Sequence, residues 1–479
     1  MKFSKLIAIV AFTLATALST FAADKSPRYI FYFIGDGMGT GQVMSAQTYN
    51  RMVRNDKRPL VMTQFPVTSL AYTFSASSPV TDSAAAGTAL ATGNKTKNGM
   101  LGMDADSIAV TSMAELLKQN GFGIGLVTSV APDDATPGAF YAHVPYRGMY
   151  YEIEKQAAAS GFEFIAGAGL RGLKDSNGNP TDIKEIFRQN DVEIVYGTDG
   201  LTETDSRKVL LLSPDTLSPN NIRYTIDSIE GSMTLPKYTQ ACLDHMMRVS
   251  PDKFFMMVEG GNIDHAGHAN DGGAIVKEVI NFDEALEIAY DFYLNHPDET
   301  LIVVTADHET GGMSVGCSYT GYNAFLNYVD YQKVSKEQFS AFCKAIYRSR
   351  RIFTWDDMKE YLSENLGFWS HLPVSESQEQ TLKEKFDSTF ELRNSADTNT
   401  LYANFNAFSV EVFNIFNNIA GLGFTTGNHS GNPVPVYAIG VGSELFANGQ
   451  DNTLIPEKIL STVGLTLKTK KCCGKGCRK

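Results

Sequence analysis

The chain has 479 residues, enough for two or three domains or for one large α/β domain with insertions. Hydrophobic residues make up 43% of it and charged residues 20%, a composition that excludes wholesale disorder and fibrous architectures. Its 53 acidic and 41 basic residues give a formal charge of −12, so nucleic-acid binding through a basic surface is not expected.

The first 22 residues have the pattern of a secretory signal peptide. Lys2 and Lys5 form a basic start, and residues 6–18 are an apolar run too short to span a bilayer comfortably. Small residues around Ala22 then suit a cleavage site. Since no other stretch reaches membrane-spanning length, the sequence predicts an exported protein, periplasmic or extracellular, without a stable membrane anchor.

Short apolar runs alternate with helical patterns along the rest of the chain. Seven runs are typical of buried parallel strands: residues 28–34, 124–130, 162–166, 209–212, 254–258, 301–305 and 434–441. Helical patterns lie between several of them, for example at 112–119 and 276–293. The alternation predicts an α/β fold, a three-layer sandwich with a central, mostly parallel sheet flanked by helices.

The composition changes at about residues 318–420, which are charged, aromatic and helix-like. We expect this segment to be a helix-rich subdomain inserted into a catalytic domain that spans residues 23–465. Residues 466–479 form a basic tail with three cysteines, for which a mobile tail is the simpler hypothesis and a metal or redox role the alternative. Cys242, Cys317 and Cys343 are isolated, and either buried thiols or one disulfide would account for them.

Acidic residues and histidines accumulate at or beyond the ends of the apolar runs. They fall in four segments, 35–39, 259–268, 307–309 and 427–431. Their candidate ligand side chains are Asp36, Glu259, Asp264, His265, His268, Asp307, His308, Glu309 and His429. Because open α/β sheets bind ligands at the carboxyl ends of their strands, we expect these groups to converge. Carboxylate and imidazole ligands suit zinc and magnesium, and the four-residue spacing from Asp264 to His268 allows one helical turn to aim both at one ion.

Two serines are candidate nucleophiles. Ser314, in Gly312-Met313-Ser314-Val315-Gly316, matches the nucleophile elbow of serine hydrolases, but the preceding apolar run ends near residue 306, too early for a strand–serine–helix turn. Ser83 precedes an alanine-rich stretch that predicts a helix beginning there. It is either a plain helix cap or a nucleophile whose phosphoryl substrate lies at the positive end of the helix.

The segment Thr81-Asp82-Ser83-Ala84-Ala85, with the order of the acidic and histidine segments from Asp36 to His429, resembles the alkaline phosphatase family over most of residues 27–442. The resemblance implies an enzyme that hydrolyses phosphate monoesters through a phosphoserine on Ser83, with two zinc ions and one magnesium ion. Inorganic phosphate and small monoesters are the partners expected, and a homodimer is one of the assembly states left open.

The resemblance also implies roles for individual residues. The ligands implied for the zinc that activates the attacking water are Asp264, His268 and His429. Those implied for the zinc that activates Ser83 are Asp36, Asp307 and His308. The magnesium site implied consists of Asp36, Thr136 and Glu259, with Asp134 beside it. Arg147 is implied to bind phosphate through both arms of its guanidinium, and His265 to lie near the substrate.

Three other functions remain open at this point. A phosphodiesterase of the same metal superfamily would share the metal ligands, although Ser83 together with Arg147 favours monoesters. A serine esterase centred on Ser314 would resist chelators. A metal- or phosphate-binding protein without activity would keep the ligands but show no turnover.

Overall fold

The computed structural model describes residues 26–53, 58–215, 218–349, 352–394 and 397–467. Its strands in chain order are β1 (Tyr29–Ile34), β2 (Val67–Tyr72), β3 (Gly123–Thr128), β4 (Phe164–Gly167), β5 (Val192–Tyr196), β6 (Lys208–Leu212), β7 (Phe254–Glu259), β8 (Thr300–Thr305), β9 (Glu309–Thr310), β10 (Ser314–Val315), β11 (Thr398–Asn399), β12 (Asn404–Phe405), β13 (Leu422–Gly423), β14 (His429–Ser430), β15 (Val434–Gly440) and β16 (Gln450–Asp451). Ten of them form one sheet in the order β16-β2-β15-β8-β1-β7-β3-β4-β6-β5.

The central sheet is mostly parallel. β15 runs antiparallel to both of its neighbours, β2 and β8, whereas the other pairs in the sheet are parallel. Strands β1, β3, β7 and β8 are buried along their whole length, which explains their continuous apolar sequences. The carboxyl ends of β1, β7 and β8 therefore meet at one edge, with Ile34 level with Glu259 on one side and with Thr305 on the other.

Helices cover the sheet and surround its carboxyl edge. The α-helices are Thr40–Val53, Ser83–Thr92, Met113–Gln119, Ala135–Gly138, Tyr150–Ala159, Ile183–Gln189, Gly197–Thr202, Leu235–Val249, Asn262–His268, Gly272–Asn295, Lys336–Ser349, Trp355–Leu366, Glu376–Phe386, Ala407–Ala420 and Leu454–Ser461. The long helix Gly272–Asn295 packs against Leu235–Val249 and against Thr40–Val53. No helix within the described ranges is long and apolar enough to cross a membrane.

The α/β sandwich predicted from the sequence is confirmed, and the seven predicted strands are present with ends that differ by at most two residues. Three strands of the sheet, β2, β5 and β16, were not predicted. β2 alternates between exposed and covered residues, and β5 has exposed side chains at Glu193 and Tyr196, so neither has the continuous apolar pattern of the central strands. β16 has only two residues.

The segment 318–420 contains four of the α-helices, as its composition suggested. Ala407–Ala420 packs against both Lys336–Ser349 and Glu376–Phe386, around aromatic side chains such as Phe339, Phe386 and Phe408. A small hairpin of β11 and β12 lies before the last of these helices. The division of the chain into a catalytic domain and an inserted cap stays a prediction.

Three cysteines lie within the described residues, and all are free thiols. Cys242 and Cys343 are buried and Cys317 is partly exposed, so the disulfide considered for them does not form. The predicted signal peptide and the three cysteines of the tail lie outside the described residues.

Candidate functional site

Ser83 is the first residue of a fully buried helix, Ser83–Thr92. Asp82, not Ser83, caps the helix, because its side chain accepts a hydrogen bond of 2.9 Å from the Ala85 backbone N–H. The Ser83 hydroxyl is thus free of the capping role and lies 3.1 Å from Nε2 of His308. It faces the carboxyl edge of the sheet at the positive end of a helix.

The first ligand cluster lies at the ends of β1 and β8. His308 Nε2 is 3.4 Å from Asp36 Oδ1 and 3.1 Å from Asp307 Oδ2. The other oxygen of Asp307 accepts hydrogen bonds from the backbone N–H of Gly37, at 3.1 Å, and of His308, at 2.8 Å. These bonds fix the carboxylate so that its second oxygen points at the other two side chains.

The second cluster joins a short helix after β7 to the short strand β14. Asp264 and His268 lie one turn apart in the helix Asn262–His268, with His268 Nε2 3.5 Å from Asp264 Oδ2. β14 pairs with β9 and brings His429 Nε2 to 3.6 Å from Asp264 Oδ1 and 3.0 Å from His268 Nε2. The helical turn therefore brings the side chains of Asp264 and His268 together.

The two imidazoles of this cluster are oriented by backbone carbonyls. Nδ1 of His268 lies 2.8 Å from the Gly427 carbonyl, and Nδ1 of His429 lies 2.8 Å from the Thr81 carbonyl. Because a carbonyl only accepts, each Nδ1 carries the proton and each Nε2 presents a lone pair. Burial and the nearby His308 lower the pKa of His429 to about 4, which keeps this ring neutral. The two Nε2 lone pairs, 3.0 Å apart, suit a cation bound by both nitrogens.

A third, all-oxygen cluster adjoins the first. Glu259 ends β7, and one of its carboxylate oxygens accepts a hydrogen bond from Thr128. Burial raises the pKa of Glu259 to about 8, with Asp134 and Asp307 adding to the effect. Burial, together with the charge of Asp307 and other carboxylates, also raises the pKa of Asp36 well above its ordinary value. Several carboxyl groups are thus buried close together, and divalent cations would balance their negative charge.

The hydrogen bonding of these side chains leaves several oxygens available to metal ions. Five buried oxygens of the three clusters have no hydrogen-bond partner among the described residues: Asp36 Oδ1, Thr136 Oγ1, Glu259 Oε1, Asp264 Oδ2 and Asp307 Oδ2. Buried polar atoms are normally satisfied, so this concentration of free oxygens at one edge of the sheet indicates a site suited to cations. Ligand atoms of Asp36, Asp307 and His308, and likewise of Asp264, His308 and His429, lie within 4.8 Å of one another. The mixed carboxylate–imidazole clusters suit zinc and the all-oxygen cluster suits magnesium.

Arg147 is held by two carboxylates. Its Nη2 is 3.0 Å from Asp134 Oδ1 and its Nη1 is 3.5 Å from Asp82 Oδ2. The second oxygen of Asp134 is 3.2 Å from Arg171 Nη1. Although burial acts in the opposite direction, Arg171 and Arg147 hold the pKa of Asp134 below its ordinary value. Asp134 is thus an anion clamped between two guanidinium groups.

Three residues of the site were not predicted from the sequence. Arg171 pairs with Asp134 as just described, and Thr310 donates a hydrogen bond to Asp264. Tyr402 lies beside Arg147, with its hydroxyl 3.4 Å from Nη2, and stacks on His265. The short β9 strand next to Asp307 could have pointed to Thr310, but Arg171 and Tyr402 carry no local motif.

The remaining candidates occupy different positions. His265 is buried, and burial lowers its pKa to about 4, so its ring is neutral. This ring lies against Tyr402. The Glu309 carboxylate accepts hydrogen bonds from the Gln42 amide at 2.7 Å and from the Met313 N–H at 3.0 Å. It therefore stabilises the loop that contains Met313 and is not available as a metal ligand. Ser314 lies in an exposed two-residue strand, not on a strand-to-helix turn, which removes the nucleophile-elbow hypothesis.

The mostly parallel sheet brings carboxylate–imidazole clusters, a buried serine and an arginine together at its strand ends. This combination defines a class of protein, the metal-dependent hydrolases with an α/β fold. The family model described as alkaline phosphatase matches residues 28–465. The chain therefore belongs to the alkaline phosphatase family and is an enzyme of it, acting by metal-dependent hydrolysis of phosphate monoesters.

Relatives and solved structures agree with this assignment. Alkaline phosphatase 4 of Bacillus subtilis (strain 168) is 30% identical over 455 residues, covering 92% of this chain and 90% of its own. Alkaline phosphatase 3 of the same organism is 27% identical over 498 residues, covering 98% and 99%. The crystal structure of a cold-active alkaline phosphatase from a psychrophilic Shewanella species, 27% identical, superimposes with a TM-score of 0.76 and covers 91% of this chain and 100% of its own. A structure of a TAB5 alkaline phosphatase variant with Mg bound in the M3 site, 25% identical, has a TM-score of 0.63 and covers 91% and 98%.

Proposed function

We propose that this chain is an exported alkaline phosphatase in which the phosphoryl group passes first to Ser83 and then to water. The observation that carries the proposal is the position of the Ser83 hydroxyl. It is buried, released from helix capping by Asp82, and 3.1 Å from Nε2 of His308, a residue that belongs to both groups of potential metal ligands.

The proposal assigns the three clusters to three ions. One zinc would be held by Asp264, His268 and His429, and a second by Asp36, Asp307 and His308. Magnesium would be held by Asp36, Thr136 and Glu259, with Asp134 beside it. The unpaired oxygens of these residues support the assignment, as does the magnesium named for the TAB5 structure. When bound, such ions act as Lewis acids that stabilise the charge on the entering and leaving oxygens.

The reaction proposed has two displacements at phosphorus. In the first, the bond from Ser83 Oγ to phosphorus forms as the bond to the leaving oxygen breaks. In the second, a water oxygen replaces Ser83 Oγ, so that one water molecule is consumed and the serine is regenerated. The free backbone N–H groups at the start of the helix Ser83–Thr92 favour the anionic phosphoryl group throughout.

Arg147 would orient the phosphoryl group. Its two terminal nitrogens pair with Asp82 and Asp134, which fix the position of the guanidinium, and its remaining N–H groups would bind the phosphate oxygens. A phosphate monoester has more terminal oxygens than a diester, so it can contact both the metal ions and the Arg147 guanidinium. The arrangement therefore favours monoesters over diesters.

Ser83→Ala tests the proposal. Because Asp82 provides the cap, the variant is expected to keep its fold and metal content, while kcat falls by roughly 10³-fold or more. Wild-type enzyme quenched in acid with labelled substrate should carry the label on the peptide that contains Ser83. Ser314→Ala is the matched control and should retain wild-type kcat. Full activity in Ser83→Ala, or label on another residue, would refute the phosphoserine.

Export is a separate part of the proposal, supported by the basic start and apolar run of residues 1–22. We expect a mature chain that begins at residue 23. The mass and N-terminal sequence of protein recovered from outside the cytoplasm would test this, and an intact Met1 on that protein would contradict it.

A further inference from the structure

Tyr402 reaches the candidate active site from the tip of a hairpin. Strands β11 and β12 pair in antiparallel register, Thr398 with Phe405 and Asn399 with Asn404, so that residues 400–403 form the turn. The turn is closed by a hydrogen bond of 2.8 Å from the Thr400 N–H to the Ala403 carbonyl. Tyr402 thus projects from a short, hydrogen-bonded turn.

The hairpin is attached firmly to the helix Lys336–Ser349. Phe405 is buried at 2% exposure beneath the Lys336 ammonium, which lies 5.0 Å from the ring centroid. The Lys344 ammonium donates to the Asn404 side chain at 2.7 Å, and Asn406 N–H donates to Ser340 at 2.8 Å. The position of the turn is therefore set by packing within the segment 318–420.

The side chain of Tyr402 makes three contacts in the site. Its hydroxyl accepts a hydrogen bond of 3.4 Å from Arg147 Nη2. Its ring stacks on His265 with centroids 3.9 Å apart and planes inclined by 30°, and it meets His268 edge to face at 5.3 Å. One side chain thus bridges the arginine proposed to bind phosphate and the helix that bears two proposed metal ligands.

The Tyr402 hydroxyl can still donate a hydrogen bond. Its oxygen accepts from Arg147, and within the described residues no acceptor takes its proton. A phosphate oxygen held by Arg147 is a strong acceptor and would lie within reach of both donors. Tyr402 and His265, whose ring centroids lie 3.9 Å apart, form an aromatic surface beside Arg147.

We propose that Tyr402 is a substrate-contacting residue that determines which phosphate monoesters the enzyme prefers. Its hydroxyl donates to a phosphate oxygen bound by Arg147, and its ring, backed by His265, forms one wall for the leaving group. The substrate class favoured is a monoester whose leaving group is an aromatic or other flat ring. This inference rests on the proposed function, since it requires phosphate to bind at Arg147.

Steady-state kinetics of the metal-loaded enzyme separate the two contacts. Tyr402→Phe removes only the hydroxyl, and Tyr402→Ala removes the ring as well. Leu401→Ala is the control, since Leu401 is the adjacent turn residue and is 58% exposed. Each protein would be assayed with 4-nitrophenyl phosphate and with glycerol 2-phosphate, and with inorganic phosphate as inhibitor, after zinc and magnesium contents are shown to match.

Tyr402→Phe is expected to weaken phosphate inhibition by about tenfold and to lower kcat/KM for both substrates by the same factor. Tyr402→Ala should in addition lower the preference for the aryl ester over the alkyl ester by about three- to tenfold. Leu401→Ala should change neither quantity.

Tighter phosphate inhibition in Tyr402→Phe would show that the hydroxyl competes with phosphate for Arg147 and would overturn the proposal. An unchanged aryl preference in Tyr402→Ala would overturn the leaving-group wall. Both results are distinguishable from failure of the proposed function, which would appear as absent turnover in the wild type or as full activity in Ser83→Ala.

Discussion

Replacing Arg147 by lysine keeps the positive charge and removes the two-armed guanidinium. In the structure the two terminal nitrogens lie 3.5 Å from Asp82 and 3.0 Å from Asp134. A lysine ammonium at this position would be drawn to one of these carboxylates and could offer phosphate at most one directed hydrogen bond. Loss of one charge-assisted hydrogen bond costs about 1.5–3 kcal/mol, so kcat/KM should fall by about 10- to 150-fold.

Inorganic phosphate is the sharper probe, because it binds without a leaving group. The inhibition constant for phosphate should rise together with the loss in kcat/KM, while zinc content and thermal stability stay close to those of the wild type. Arg188→Lys is the control, since the Arg188 guanidinium also pairs through two nitrogens, at 2.8 and 2.6 Å to the one carboxylate of Glu185, but its side chain is 75% exposed. Unchanged phosphate inhibition in Arg147→Lys would assign Arg147 a structural role and refute the reasoning.

Two further predictions concern metals and pH. Exhaustive chelation should abolish activity and lower the melting temperature, because an ion present at 100 times its Kd stabilises the native state by about 2.7 kcal/mol. Full activity after chelation would contradict the metal assignment. Burial raises the pKa of Asp283 to about 6, although the backbone N–H groups of Val61 and Met62 donate hydrogen bonds to its carboxyl group. The protonated side chain therefore contributes to stability below pH 4, and this contribution is lost as the pH rises through 6. Asp283→Asn should therefore gain about 2–3 kcal/mol of unfolding free energy relative to the wild type between pH 4 and 7, measured by denaturant titration. A difference that does not change with pH would contradict this expectation.

The central part of the fold could be predicted because burial leaves a strong mark on the sequence. β1 and β8 are covered on both faces, so every residue of each is apolar, aromatic or threonine, and their bounds differ from prediction by at most one residue. β2 pairs with β15 near the edge of the sheet, and alternate residues such as Thr68 and Leu70 remain exposed. A half-covered strand of this length resembles a loop in composition, so the sequence alone did not reveal it.

The metal clusters were predictable for a related reason. Asp36 and Asp307 directly follow neighbouring parallel strands, so the hydrogen bonding of the sheet brings their side chains together. His429 was less obvious, since it reaches the site through the two-residue pairing of β14 with β9. Its segment was a candidate because it contains a histidine, and the family resemblance then implied its role as a ligand.

Arg171 and Tyr402 could not have been found from local sequence, and the difference from the metal ligands is physical. Ligands of one ion must converge within bonding distance, which confines them to adjacent strand ends and to the first turns that follow. A leaving group is met by surface contact, which a residue from a distant hairpin can supply as well as one from the sheet. Substitution of Tyr402 therefore changes the proposed wall directly and reaches the proposed metal ligands only through its edge-to-face contact with His268. Substitution of His265, which directly follows Asp264 in the helix Asn262–His268, acts on the wall and on the metal cluster together.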